Sequence, residues 1–372
     1  MKIPFYDATR EYKLYKAEFD KAIEDVIASG AFILGKQVAD FEEQVKHYTG
    51  AQYAVGVANG SDALLIASDI LGYGNAEVLT PTFTFFASAS CIARLGGKPV
   101  FVDVDEDTFC MDMKDAENRI TKNTKGIIPV HLFLQTADMG ACMKLATQHR
   151  LSVLEDAAEA FGMKAIISGT NRHAGTIGDF GVFSFFPTKT LGGYGDGGML
   201  VTNSEEQYKI AKSYRTHGAT KKYHHDYVGY NSRLDTLQAA ILQVKLSRID
   251  ESIQKRAKHA EHYREALKDV AGIKLPVVKE NNTPVDYVFC LQAENRDALE
   301  KHLNENGIGT SIYYPVPLHL QKCFDHHGYK KGDFPTAEKL CQTVLALPMF
   351  PELTEGEVDF VCDTVKKFYG QC

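Results

Sequence analysis

Short runs rich in β-branched and aromatic residues alternate with helical patterns over the first two-thirds of this chain, and that alternation constrains the fold most. Such runs occupy residues 53–58, 77–80, 99–104, 126–130, 152–156, 180–185 and 199–202. Helical stretches fall between several of them, at 62–71, 139–148 and 205–215. The pattern predicts an α/β core built on a mostly parallel sheet. After Leu246 the texture changes. A charged helical segment covers 247–270, a strand 287–292, and two further helices 296–306 and 355–369. Gly307, Gly309, Pro315 and Pro317 punctuate the stretch up to Leu318, the mark of an ordered loop rather than a flexible linker. The expected organisation is a large α/β domain over residues 1–246, N-terminal segment included, and a smaller C-terminal α+β domain over 247–372.

Composition excludes some classes of function. The 372 residues are 44% hydrophobic and 24% charged, with a net charge of −7 and the two signs mixed. No basic stripe of the kind nucleic-acid binding needs is present. No apolar run approaches the length of a membrane helix, and the first ten residues mix Lys2, Asp7 and Arg10 with apolar ones, unlike a signal peptide. The eight cysteines, Cys372 among them, are scattered with no Cys-x-x-Cys pair. The expectation is a cytoplasmic protein with reduced thiols and no bound metal, acting on neither nucleic acid nor membrane.

Three stretches could carry chemistry. In the first, Ser184-Phe185-Phe186-Pro187-Thr188-Lys189 leads into Leu191-Gly192-Gly193-Tyr194-Gly195-Asp196-Gly197-Gly198. A strand ends, one lysine follows, and a glycine-rich turn allows close approach of backbone to a ligand. A lysine held there can bond an aldehyde cofactor; the alternative is a surface lysine beside a flexible loop. In the second, the apolar run Val153-Leu154 ends in Glu155-Asp156-Ala157-Ala158-Glu159. A carboxylate at this edge of an α/β sheet can pair with a protonated pyridine nitrogen, or it can simply cap a helix. In the third, Ala58-Asn59-Gly60-Ser61-Asp62 leads from strand into helix, where free N–H groups and the helix dipole favour a phosphate.

Taken together and in this order, these stretches resemble the sugar aminotransferases of the DegT/DnrJ/StrS family. The resemblance runs from Ile3-Pro4-Phe5 through Phe32-Ile33-Leu34-Gly35, Thr80-Pro81-Thr82-Phe83-Thr84-Phe85 and Gly229-Tyr230-Asn231-Ser232-Arg233-Leu234-Asp235 to Tyr314-Pro315. It implies an aspartate aminotransferase-like fold, type I among enzymes dependent on pyridoxal 5′-phosphate, with pyridoxamine 5′-phosphate as the alternate cofactor form. It implies a homodimer with shared active sites. Lys189 would hold the cofactor and shuttle the proton, Asp156 would pair with the pyridine nitrogen, and Phe85 would stack on the ring. Gly60, Ser61 and Ser184 would bind the phosphate, with Asn231 reaching it from the partner subunit. Phe85 as plain core and Asn231 as a helix cap are the alternatives.

Two departures matter. Glu159 stands where the family often has glutamine near the cofactor's phenolic oxygen, which leaves the hydrogen bonding there open. Leu134 replaces a common glycine. Related dehydratases carry histidine at the position of Lys189, so lysine favours transamination. The resemblance then implies transfer of an amino group from L-glutamate to a keto-sugar carried by a nucleotide. Tyr223-His224-His225 with the segment after Asn231 resembles the branch that aminates C3, on a UDP-linked 2-acetamido-3-keto-hexose or its uronic acid, for lipopolysaccharide or O-antigen amino sugars. A dTDP-linked 3-keto-6-deoxyhexose, a 4-keto sugar, and a non-catalytic cofactor-binding regulator are the alternatives. His225, Arg233, Tyr314 and His319 are the candidate substrate contacts; Arg233 could take a uronate carboxylate by forked hydrogen bonds, or form a structural ion pair.

Overall fold

The computed structural model describes residues 1–370; Cys372 lies outside the described residues. Seven strands form the central sheet: β1 (Tyr53–Val57), β2 (Glu77–Pro81), β3 (Lys98–Val102), β4 (Thr124–Ile127), β5 (Ser152–Asp156), β6 (Phe180–Ser184) and β7 (Gly198–Thr202). Their spatial order is β1-β7-β6-β5-β4-β2-β3. Pairing is parallel from β6 through β3, while β7 runs antiparallel to both β6 and β1. All strands but β7 therefore point one way, and their carboxyl ends share one edge. The strands are almost continuously buried, as expected when helices cover both faces of a parallel sheet. The alternation read from sequence is realised strand for strand, with ends shifted by up to three residues.

Three helices precede β1. Those at Lys16–Ser29 and Lys36–Thr49 end on Gly30 and Gly50 in the left-handed conformation that a helix C-terminus favours. Both pack on the helix Thr236–Leu246. A hairpin, Lys164–Ile167 with Thr170–His173, projects after β5 and is extended by Asn282–Thr283.

The C-terminal part has its own antiparallel sheet, formed by Ile273–Lys274, Phe289–Ala293 and Val344–Leu347. The charged segment forms the helix Ile249–Leu267, whose inner face buries Arg256, Ala260, Tyr263 and Leu267. Buried Arg256 donates from Nη1 to the carbonyls of Tyr287 and Met349, each at 3.0 Å, so the cation is held by backbone dipoles. The chain's first residues join this part: Ile3 is fully buried in its core and bridges Ile308. None of the described helices is long and apolar enough to cross a membrane.

The start of the chain is clamped to the last helix, Glu355–Phe368. Arg10 donates to both oxygens of Glu357 at 2.7 and 2.6 Å, and Thr354 donates its amide to the same carboxylate at 2.9 Å within a capping box. The Arg10 hydrogen bond, more than any other contact, draws the Glu357 carboxyl down to about 2 from 4.5. A depressed carboxyl stabilises the fold above its unfolded value and loses that contribution as pH falls through its folded one. The stability difference between wild type and Glu357→Gln is thus expected to shrink between pH 4.5 and about 2. Denaturant unfolding across that window measures it, and a constant difference contradicts the assignment.

Candidate active site

The carboxyl ends of β1, β2, β5 and β6 meet the C-terminal part around one cavity of about 360 Å³. That size suits a small-molecule site. From the sheet side come Asn59, Gly60, Ser61, Thr84, Phe85, Asp156, Glu159, Ser184 and Lys189; from the C-terminal part come Tyr287, Tyr313 and Tyr314.

Each element presents its residues for a local reason. After β1, Asn59 caps the helix Gly60–Ile70 by accepting from the Asp62 amide at 2.8 Å. Gly60 and Ser61 then sit in the first turn, where backbone N–H groups have no helical partner. A Cβ on Gly60 would lie 2.8 Å from the Ser184 Cβ, so glycine lets the helix start pack tightly against the end of β6. After β2 the Phe85 ring stands 58% exposed, an apolar face left open at the cavity rather than plain core. Asp156 is buried, and no helix follows it, so it is not a cap. It accepts from Ser88 Oγ at 2.6 Å and from the Ala158 amide at 3.2 Å. Burial nonetheless raises its pKa above the usual aspartate value, against the pull of Ser88.

Lys189 does not belong to a flexible loop. The glycine-rich turn is closed by hydrogen bonds from Phe185 N to Gly197 O and from Gly193 N to Phe185 O, both 2.8 Å, and the lysine side chain is only 15% exposed. Its Nζ lies 3.0 Å from Glu159 Oε1 and 4.7 Å from the centroid of the Tyr287 ring. Burial alone pulls the amine's pKa down, but Glu159, with Tyr287, outweighs it, and the net direction is upward. A catalytic lysine is expected to move downward; this one is held as an ammonium by its carboxylate partner.

The other expected residues lie elsewhere. Asn231 is exposed and bridges Thr216; the helix that follows starts at Thr236 with Asp235 as its cap, so Asn231 caps nothing. His225 sits in an exposed two-stranded element with Nδ1 2.9 Å from the His217 carbonyl, and Arg233 is half-buried away from the cavity lining. His319 is not brought to the cavity. It is 1% exposed, with Nδ1 2.8 Å from Thr82 Oγ1 and Nε2 3.2 Å from Glu338. Tyr287, Tyr313 and Ser88 were not anticipated. Ser88 falls one helical turn after Phe85, a spacing that could have marked it. Tyr313 adjoins the expected Tyr314.

Against known proteins, residues 13–366 match the model of the DegT/DnrJ/EryC1/StrS aminotransferase family. A "pleiotropic regulatory protein" of Geobacillus stearothermophilus is 44% identical, covering 99% of each chain. A UDP-N-acetyl-3-dehydro-α-D-glucosamine 3-aminotransferase of Acidithiobacillus ferrooxidans is 40% identical over 98% of this chain and 97% of its own. Other full-length relatives are named as transaminases of UDP- and dTDP-linked sugars. Among solved structures, DesV of Streptomyces venezuelae, in complex with a ketimine intermediate, superposes with a TM-score of 0.96 at 37% identity, covering 100% of this chain and 99% of its own. The architecture is thus that of the family's pyridoxal phosphate-dependent aminotransferases, and solved neighbours carry the pyridoxamine form of the cofactor.

The Ser88 hydroxyl favours the ionised form of a carboxyl that burial disfavours. Ser88→Ala is expected to cost about 1.5–3 kcal/mol near neutral pH. A raised carboxyl costs stability as pH rises through its folded pKa, and the variant raises it further. The penalty therefore fades in acid, below the ordinary aspartate value of 3.8. Denaturant unfolding at neutral and acidic pH measures it; a pH-independent penalty would assign Ser88 to packing alone.

Proposed function

Because the chain belongs to the DegT/DnrJ/EryC1/StrS aminotransferase family, we propose that it moves an amino group from L-glutamate to the C3 keto group of a nucleotide-linked sugar. One observation carries this reading. A lysine on a closed turn, a buried carboxylate, a half-exposed phenylalanine ring and the start of a helix converge on one cavity. That donor set fits an aromatic cofactor with a cationic ring nitrogen and a phosphate.

In this reading the Asp156 carboxylate holds the ring nitrogen's positive charge, and the Phe85 face covers the ring. The amides of Gly60 and Ser61, with the hydroxyls of Ser61 and Ser184, hold the phosphate at the positive end of the helix. Lys189 carries the cofactor and moves the proton at the substrate carbon through Nζ. Bound pyridoxal phosphate supplies the electron sink that makes this proton transferable. Tyr287, Tyr313 and Tyr314 wall the side where the sugar enters and limit water there.

Asn231, His225 and Arg233 share one largely exposed segment away from this chain's cavity. We assign them to the site of a second copy, Asn231 to phosphate and the other two to substrate, which makes the working unit a homodimer. Light scattering is expected to give a dimer, and a fully active monomer contradicts the assignment. His319 takes no part in substrate binding here, since both ring nitrogens are engaged inside the protein.

The sugar proposed is a UDP-linked 2-acetamido-3-keto-hexose or its uronic acid, feeding surface-polysaccharide synthesis in the cytoplasm. The Acidithiobacillus relative's name supports it, with the His224-His225 pair. The dTDP relatives keep a dTDP-3-keto-6-deoxyhexose as the second reading. The regulator reading draws on the Geobacillus relative's name, but a regulator has no need of a lysine positioned to move protons.

Adding UDP-, dTDP- and GDP-linked amino sugars, with the amine at C3 or C4, to the cofactor-loaded enzyme tests this. Bleaching of the yellow cofactor band by a UDP-linked 3-amino sugar is expected. Bleaching only by a 4-amino sugar overturns the position, and none by any sugar or by glutamate overturns the transaminase. Lys189→Ala is expected to lower turnover by at least about 10²–10⁴-fold, and near-wild-type turnover would exclude its role.

A further inference from the structure

Glu159 is buried at 8% exposure, and both of its oxygens are engaged. Oε1 is 3.0 Å from Lys189 Nζ, while Oε2 accepts from the Phe133 amide at 3.2 Å. The Phe133 backbone takes a left-handed φ of 60° in the turn between the bridged residues Leu132 and Gln135. The turn therefore aims its amide at the carboxylate and fixes which oxygen faces the lysine. Glutamine here could contact the amine, but it could neither balance an ammonium nor take a proton from one.

We propose that Glu159 is the proton partner of Lys189: it holds the amine as an ammonium while Nζ is unbonded, and it accepts that proton across their contact when the amine must act as nucleophile or base. The step balances without another reactant. An ammonium and a carboxylate become an amine and a carboxylic acid, and the reverse transfer restores them. The inference deepens the aminotransferase reading and rests on it for its purpose, though the proton exchange itself needs neither substrate nor cofactor.

The groups facing Lys189 make the direction of the effect clear. Glu159 and Asp156 are the buried carboxylates of the cavity, Asp196 lines it as an exposed one, and the Tyr287 ring lies against the amine. Burial pushes the Tyr313 and Tyr314 hydroxyls upward, so they stay neutral over the working range. With Glu159 neutralised, burial of the ammonium is no longer opposed by its nearest anion, and a lone buried cation loses its proton more readily.

The test measures how fast a small acylating reagent labels Lys189, by peptide mass spectrometry across a pH series, in the full-length protein stripped of cofactor. The pH midpoint reports the amine's protonation, whereas accessibility changes only the plateau. In Glu159→Gln the midpoint is expected to fall by one unit or more, so that labelling below the wild-type midpoint rises at least about tenfold. Glu159→Asp keeps the charge and is expected to stay close to wild type, which separates charge from shape. Should the Gln variant not fold, the wild type still decides: the Lys189 midpoint must lie above that of the exposed Lys122 in the same digest. Coincident profiles for wild type and Glu159→Gln, or a Lys189 midpoint below that of Lys122, overturn the proposal. The nucleotide-sugar panel above can fail independently, so the two readings are tested apart.

Discussion

Adjacent carboxylates at the end of β5 face opposite sides of the sheet, as successive residues of a strand must, and the site depends on that split. Glu155 is fully buried and serves the fold. It accepts from the amides of Gly175 at 2.8 Å and of Ile177 and Gly178 at 2.6 Å, and from His131 Nε2 at 2.9 Å. His131 must carry its proton on Nε2, because its Nδ1 accepts from the Ala137 amide at 3.0 Å. Burial alone would raise the Glu155 carboxyl, but these donors outweigh it and hold it below the ordinary value. One carboxylate thereby binds the 131–137 loop and the segment before β6 to the end of β5. Its neighbour Asp156 reaches the cavity with fewer donors and is displaced upward.

The rest of the cavity follows from strand direction. β1, β2, β5 and β6 run the same way although β7 is reversed between β1 and β6, so the turns after them open on one edge. The C-terminal part closes that edge through its tyrosines, and a buried latch brings its loop there. Thr82 Oγ1 accepts from the His319 amide at 3.1 Å and donates to Nδ1, which leaves the Nε2 proton for Glu338. Burial lowers the His319 pKa, consistent with this neutral form. A histidine read from sequence as a substrate contact instead anchors the loop that carries Tyr314 to the strand end that carries Phe85.

The sheet was legible because its strands are short and buried, and those from β1 to β5 are separated by helices, so period and punctuation agree there. The chemistry-bearing turns were legible for a related reason: glycine beside a lone lysine, or acids at the end of an apolar strand, are local patterns. What escaped is set by distance along the chain. Tyr287 meets Lys189 across nearly a hundred residues, and Thr82 meets His319 across more than two hundred. No local pattern encodes such a contact. Leu134 shows the same limit at short range. It stands where a glycine is common, but the left-handed residue is its neighbour Phe133, and the amide that residue turns serves Glu159.

These contacts give the site a definite electrostatic sense. Around the cavity stand two buried carboxylates and one amine. Glu159 has that amine for a counter-charge; Asp156 is hydrogen-bonded only to a hydroxyl and an amide, and the pull of Lys189 does not offset its burial. Ionised Asp156 therefore destabilises the fold unless a cation comes to it, since a buried carboxylate without a counter-charge is disfavoured. On the proposed role of Asp156, a ring protonated at nitrogen would supply that cation, whereas a neutral or anionic ring would leave the burial uncompensated. The helix start at Gly60 makes the complementary demand, for an anion. A ligand satisfying both must carry a cation and an anion on one frame, and the half-exposed Phe85 ring adds that the frame is flat. The burial that costs the free protein stability is thus the feature that selects what the site will hold.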